Sequence, residues 1–238
     1  MNQTAAGSRQ IRGISSMATR QLLAELTGLY TRSAGPAAVP LHIESVGGVD
    51  AARRVTAGEA FDLVVLAADA IDKLLAIGRL LPGSRVDLVR SGVAVAVRAG
   101  AALPDLGSED AVRRAVLAAA SLSYSTGPSG VALARLFERW GIADEIKPRI
   151  VQAPPGVPVG SLVAGGQVEL GFQQLSELIH LDGITIVGAL PPAIQIITTF
   201  SAGIGVESAQ ADAVRELLAA LNAPAADAIK RRQGMDPA

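Results

Sequence analysis

The apolar positions of this chain switch repeatedly between the period of a strand and the period of a helix. "IRGIS" is a short strand-like run, and the segment after it, "SMATRQLLAELTGLYTRSAG", carries Leu22, Leu23, Leu26 and Leu29 on one helical face. "VPLHIES" precedes the helical "GVDAARRVTAGEA", and "FDLVVLA" precedes "ADAIDKLLAIGRL". Three strand–helix units in a row predict a parallel sheet with helices on its faces. Val64, Val65 and Leu66 form the unbroken apolar run expected of a strand buried on both sides.

The rhythm breaks at "LLPGSRVDLVRSGVAVAVRAGA", where Pro82-Gly83 leads into one long predicted strand, Val86 to Val97. Beyond it "EDAVRRAVLAAA" reads as a helix and "SLSYS" as a strand. "IKPRIVQA" and "QVELGFQQ" are predicted strands separated by a short helix in "VPVGSLVAGG". "ITIVGAL" and "IQIITTFSAGIG" are further strands, and "SAQADAVRELLAALNAPAADAIKRRQG" predicts two helices divided near Asn222 and Pro224. No internal repeat and no low-complexity linker is visible.

Small polar residues collect where these strands end: Ser15-Ser16, then Ser45 to Gly48, then Ser125 to Gly130, then Gln173, Gln174 and Ser176. In open α/β sheets, ligands bind outside the carboxyl ends of the strands. The fullest such stretch is "SYSTGPSGVALARLFERWGI", Ser123 to Ile142, where hydroxyls and glycines open a helix with Val131, Leu133, Ala134, Leu136 and Phe137 at helical spacing. The first N–H groups of a helix lack internal partners and carry partial positive charge, which suits an anion. Each residue also has a plain structural use. Ser15 or Ser16 can cap the first helix, Gly47 and Gly48 can make a turn, and Thr126 or Ser129 can cap its own helix. Arg90 and Ser91 can be polar residues at a strand start, and His42 can be structural. Neither of the recognised phosphate loops, G-x-x-x-x-G-K-[ST] and G-x-G-x-x-G after a strand, is present.

Composition narrows the classes. The 238 residues make one large domain or two small ones, and with 50% hydrophobic but only 3% aromatic residues the core must be built from Ala, Val, Leu and Ile. A net charge of −1 argues against a nucleic-acid partner. The absence of cysteine excludes disulfides, thiolate nucleophiles and Cys-ligated zinc. His42 and His180 lie outside any metal spacing, so no metal and no cofactor is expected. No run of about 18 apolar residues exists, so no membrane insertion is expected. "MNQTAAGSRQIRGISSMATRQ" lacks a basic region followed by an apolar run, which predicts a cytoplasmic protein, or a periplasmic one if a leader has been removed.

The sequence resembles the molybdate-binding-protein-like group of type II periplasmic solute-binding proteins, including the subgroup without an export signal to which aconitate isomerase is related. "ISSMATRQLLAEL", "TAGEAFDLVVLAADAIDKLLAIGRLLPGSRVDLVRSGVAVAVRAGA", "YSTGPSGVALARLFERWGI" and "LVAGGQVELGFQQLSELI" carry the resemblance, which runs from about Ile11 to Leu221. It implies an α/β, two-lobed fold with a ligand cleft, one lobe being residues 1–87 plus 192–238 and the other 88–191. The chain would cross at Val86 to Val97 and return near Pro191 to Ile197. Ser16 falls near the first anion-holding serine of the family. Ser45 falls near the second, where the usual serine-rich loop reads "SVGG", and Ser125 to Ser129 where the second lobe supplies its amides. The tyrosine-bearing closing stretch of the family is replaced by "GFQQLSEL", so the likeness is to the family and not to molybdate as ligand.

The expected function is the binding of a small anion, an oxyanion or a carboxylate, as in an ABC-transporter substrate-binding protein. The expected ligand set is Ser16, Ser45, Gly47, Arg90, Ser91, Ser125, Thr126, Gly127, Ser129 and Gln174. The alternative is an isomerase or tautomerase of a small polycarboxylate. It would use the same donors to stabilise an enolate-like intermediate, with Glu177 and Tyr124 as the groups that move the proton.

Overall fold

The computed structural model describes residues 10–154 and 156–238. In chain order the elements are β1 (Ile11–Ser16), α1 (Arg20–Ala34), β2 (Leu41–Val46), α2 (Gly48–Thr56), β3 (Leu63–Ala67), α3 (Ala68–Ala76) and β4 (Val86–Arg98). Then come α4 (Glu109–Ala118), β5 (Leu122–Tyr124), α5 (Pro128–Arg139), α6 (Ala143–Ile146), α7 (Val159–Ala164), β6 (Leu170–Gln174) and α8 (Leu175–Leu178). The chain closes with β7 (Ile184–Ala189), β8 (Ile197–Ile204), α9 (Ala211–Leu221), α10 (Asp227–Arg232) and β9 (Asp236–Pro237).

The chain divides into two compact units, one holding the described residues up to Val89 together with Thr199–Ala238, the other Arg90–Thr198. In the first unit the strands run in the order β2-β1-β3-β8. β1 is parallel to β2 and β3, with Ser15 opposite Ser45, and β8 is antiparallel to β3. The three strand–helix repeats predicted from the pattern are thus a parallel sheet, closed by a returning antiparallel strand. β3 is buried at every position, as its continuous apolar run requires. One face packs against α1 and α9, where Leu22, Leu23 and Leu26 meet Val214, Leu217, Leu218 and Leu221. The other face packs against α2 and α3 through Ala51, Val55, Ile71 and Leu74. Asp87 in β4 accepts hydrogen bonds from Ser201 Oγ in β8 (2.6 Å) and Arg85 Nε (2.8 Å).

In the second unit β6 lies between β5, to which it is parallel, and β4, to which it is antiparallel, and β7 pairs antiparallel along the opposite edge of β4. Phe137 of α5 meets Phe172 of β6 edge-on, 6.1 Å between ring centres, and Val93, Val95, Val112, Val116 and Leu133 complete this core. So few aromatic rings suffice because aliphatic side chains fill the rest.

One predicted strand is corrected. "IKPRIVQA" is not a strand: Lys147–Arg149 form a 3₁₀ turn, and only Ile150 bridges Leu122. Pro148 has no N–H to give a ladder and favours the first turn of a helix. The Arg149 guanidinium fixes the turn by donating to the carbonyls of Leu117 (2.8 Å) and Ala119 (2.7 Å). Val131, read as part of the apolar face of α5, is exposed, while Leu133, Leu136 and Phe137 are buried.

Candidate functional site

In the first unit, strand register brings the expected hydroxyls together. Ser15 and Ser45 face each other across β1 and β2, and their hydroxyls are hydrogen-bonded at 2.7 Å. Ser16 ends β1 and caps the 3₁₀ turn Met17–Thr19, accepting from Ala18 N at 3.4 Å. Gly47 is the residue before α2, and no side chain caps that helix. A Cβ on Gly48 would lie 3.4 Å from Ser16 Oγ, so glycine here keeps the chain close to the serine. Asp50 sits in the first turn of α2 and already satisfies part of its positive end. The Ser15 and Ser45 hydroxyls are thus used on each other, and Ser16 Oγ is used as an acceptor.

The second unit differs. Gly127 precedes α5 with no side-chain cap, and Pro128 occupies the first turn, where its missing N–H costs nothing. Ser125 and Ser129 bond each other through their hydroxyls at 3.0 Å. Neither Thr126 nor Ser129 caps the helix as the plain structural reading would have it. Gly130 has a specific reason: a Cβ there would lie only 1.5 Å from the Ser125 carbonyl oxygen, so the loop folds back over a position that only glycine can occupy.

In the same unit, β4, the end of β6 and α8 carry buried polar groups that lack partners. Ser91 is 1% exposed, Gln174 3% and Ser176 5%. Ser91 Oγ, Gln174 Oε1 and Ser176 Oγ have no hydrogen-bond partner among the described residues. Val93 is registered opposite Gln174 and Val95 opposite Phe172, and Tyr124 pairs with Phe172, so these side chains share one face of the sheet. Alternation along β4 puts Ser91 on that face too. Gln174 Nε2 reaches Thr198 Oγ1 at 2.8 Å. Arg90 is exposed and, one residue from Ser91, points to the opposite side of β4. Ser123, also buried and without a partner, is registered with Gly171 and lies on the other face from Gln174.

Native proteins bond nearly all buried polar atoms, and a bare buried hydroxyl or amide oxygen costs roughly 1–3 kcal/mol. Three in one unit, at Ser91, Gln174 and Ser176, point to something that completes them.

Glu177 lies in α8, just past β6, and is half-buried. Burial pushes its carboxyl up to about 7, while a hydrogen bond from Gln173 pulls the other way. Gln173 Oε1 in turn accepts from Gly160 N at 3.2 Å, the amide in the first turn of α7. Burial also raises the Tyr124 phenol, with Glu138 adding to the effect, and the ring packs edge-on against Phe137 at 5.8 Å. Tyr124 is therefore a neutral donor near pH 7. Among the described residues no group of acidic and histidine side chains could hold a metal ion, and no helix is long and apolar enough to cross a membrane. The reading of the N-terminal leader rests partly on residues 1–9, which lie outside the described residues.

Two contributors were not read from the sequence. Thr198, inside the β-branched run of β8, looks like any strand residue until Gln174 is seen to reach it. Gln195 braces β4, accepting from Val93 N (3.1 Å) and donating to Val93 O (3.2 Å) alongside the backbone bonds that Val93 makes with Ile196 and Leu190. Only the general signal of a polar residue in an apolar run could have flagged either.

Comparison with known proteins fits this architecture. A curated relative, aconitate isomerase from a Pseudomonas species, is 42% identical over 168 residues, 69% of this chain and 63% of that protein, so the chain spans less than two thirds of the relative's length. The periplasmic molybdate-binding protein of Azotobacter vinelandii superposes with a TM-score of 0.77 at 23% identity, covering 94% of this chain and 98% of that one. A sulfate-binding protein of Mycobacterium tuberculosis does so with a TM-score of 0.75 at 14% identity, covering 96% and 86%. These two likenesses establish a shared fold. Residues 11–236 match the family model of bacterial extracellular solute-binding proteins, and the chain belongs to that family.

Proposed function

We propose that this solute-binding protein holds a small anion, a carboxylate or an oxyanion, at the strand ends of its second unit. Ser91, Ser125, Thr126, Gly127, Ser129 and Gln174 supply hydroxyl, amide and carboxamide groups. The observation that carries this reading is the set of buried, partnerless atoms at Ser91, Gln174 and Ser176 in the unit whose helix α5 starts without a side-chain cap. Charge-assisted hydrogen bonds from such donors contribute roughly 1.5–3 kcal/mol each. A thermal-shift and calorimetry panel of molybdate, sulfate and di- and tricarboxylates tests it. A true ligand at about 100 times its dissociation constant adds about 2.7 kcal/mol of stability. If no anion on the panel moves the melt, the reading fails.

A second reading, isomerisation of a small polycarboxylate, is supported by Glu177 and by the aconitate isomerase relative. A carboxyl poised near neutral pH suits a general base. It would take a proton from the carbon next to a carboxylate and return one to a different carbon. The donors would hold the charge that gathers on the carboxylate oxygens in between. Incubating the protein with cis- or trans-aconitate in D2O and following both isomers by NMR tests it. Deuterium entering the carbon framework together with isomer exchange supports the enzyme, and neither event occurring rejects it.

A further inference from the structure

The Gln174 carboxamide is hydrogen-bonded at one end and buried without a partner at the other. Its Nε2 donates to Thr198 Oγ1 at 2.8 Å. Its Oε1, on a residue 3% exposed, has no partner among the described residues. A carboxamide oxygen can only accept. Molybdate, sulfate and a bare carboxylate near neutral pH also only accept, so each would set an acceptor against the Gln174 Oε1 acceptor and leave it unsatisfied. The serine hydroxyls of Ser91 and Ser176 differ, since each can give or take. They accommodate either kind of ligand atom and do not discriminate.

We infer that the site selects an anion carrying its own hydrogen-bond donor, a hydroxyl-bearing carboxylate, and that Gln174, positioned by Thr198, reads that hydroxyl. This rests on the anion-binding reading above and narrows it to a ligand class. The carboxylate end would take the amides and hydroxyls of the Ser125–Ser129 loop. The hydroxyl would donate to Gln174 Oε1 and accept from a serine. Removing the ligand's hydroxyl leaves the amide oxygen bare in a dry place, the situation in which sites built for a hydroxyl reject its analogue. Thr198 matters because it holds the carboxamide. A threonine hydroxyl can also donate, so an amide turned end over end would keep its bond to Thr198 and present Nε2 outward. The turned amide would favour ligands that only accept.

The test is a matched comparison by isothermal calorimetry at one pH and salt: malate against succinate, citrate against tricarballylate, with molybdate and sulfate alongside. Within at least one pair the hydroxylated member should bind about tenfold or more tightly, and molybdate and sulfate should bind less tightly than it. Gln174→Met, of similar length and without the oxygen, should erase the preference by weakening the hydroxy acid while leaving its partner within about twofold. Thr198→Val frees the carboxamide and should shrink the preference in the same direction, which guards against a Met variant that folds poorly. Equal affinities within both pairs, or tighter binding of molybdate or sulfate, overturn this inference and leave anion binding standing. Binding of none of these anions overturns both.

Discussion

Replacing Gly130 with alanine is a sharp test of the loop that opens α5. The new Cβ would fall 1.5 Å from the Ser125 carbonyl oxygen, a covalent distance, with the carbonyl carbon at 2.6 Å. To reach even a very tight contact of about 3.0 Å, loop and helix must part by about 1.5 Å, and backbone does not yield as a flexible side chain does. Alanine returns up to about 1 kcal/mol of helix propensity. Against that stand overpacking strain of about 1–3 kcal/mol and loss of the Ser125–Ser129 hydroxyl pair, about 1 kcal/mol. The net loss should be about 1–3 kcal/mol, a fall in Tm of several degrees for a chain of this length. The effect on binding should exceed the effect on stability, because a 1 Å misplacement of donors costs far more than their own fold energy. Urea unfolding of the apo protein and calorimetry with the tightest anion of the panel measure the two. An alanine variant with wild-type Tm and wild-type affinity would show that the loop does not fold back over Gly130, and the donor arrangement argued from it would be lost.

Ser129→Ala removes one member of the loop's hydroxyl pair without touching the backbone. It should lower anion affinity by about tenfold while changing apo stability by less than about 1 kcal/mol; equal losses would make the pair merely structural. The Glu177 carboxyl gives a pH signature. Its folded-state value, about 7, lies above the ordinary 4.5. The folded protein thus holds the proton more tightly than the unfolded chain does. That contribution is full below about pH 4.5 and is lost as pH rises through about 7, up to about 3 kcal/mol in all. Glu177→Gln should flatten this part of the stability–pH profile measured by urea titration, whereas an unchanged slope would place the titration on another group.

Much of the fold was legible because its signals are local. The unbroken Val64–Leu66 run and the long stretch from Val86 fixed two strands whose burial follows directly from sequence. "IKPRIVQA" misled because its apolar positions fit a strand while Pro148 denied it the ladder. The clustering of polar residues at strand ends was visible, but their state was not. Ser15 and Ser45 spend their hydroxyls on each other, while Ser91 and Gln174 keep atoms open. That difference depends on register and on contacts such as Gln174 to Thr198, 24 residues apart, which no local pattern encodes. Gly130 is similar: its glycine is demanded by a carbonyl five residues earlier that only the folded loop brings close.

The second unit is one unbroken stretch, Arg90–Thr198, whereas the first needs both the residues before it and Thr199–Ala238 after it. During synthesis the ribosome releases the whole second unit while the first still lacks β8 and α9. Leu22, Leu23 and Leu26 of α1 then wait without Val214, Leu217, Leu218 and Leu221, the partners that cover them in the finished core. Domains fold as units as they emerge, so the later part of the sequence is structured first and the earliest helix is among the last to find its place. For more than a hundred residues of translation, α1 presents a greasy face to the cell, and it is there that a chaperone would have most to hold.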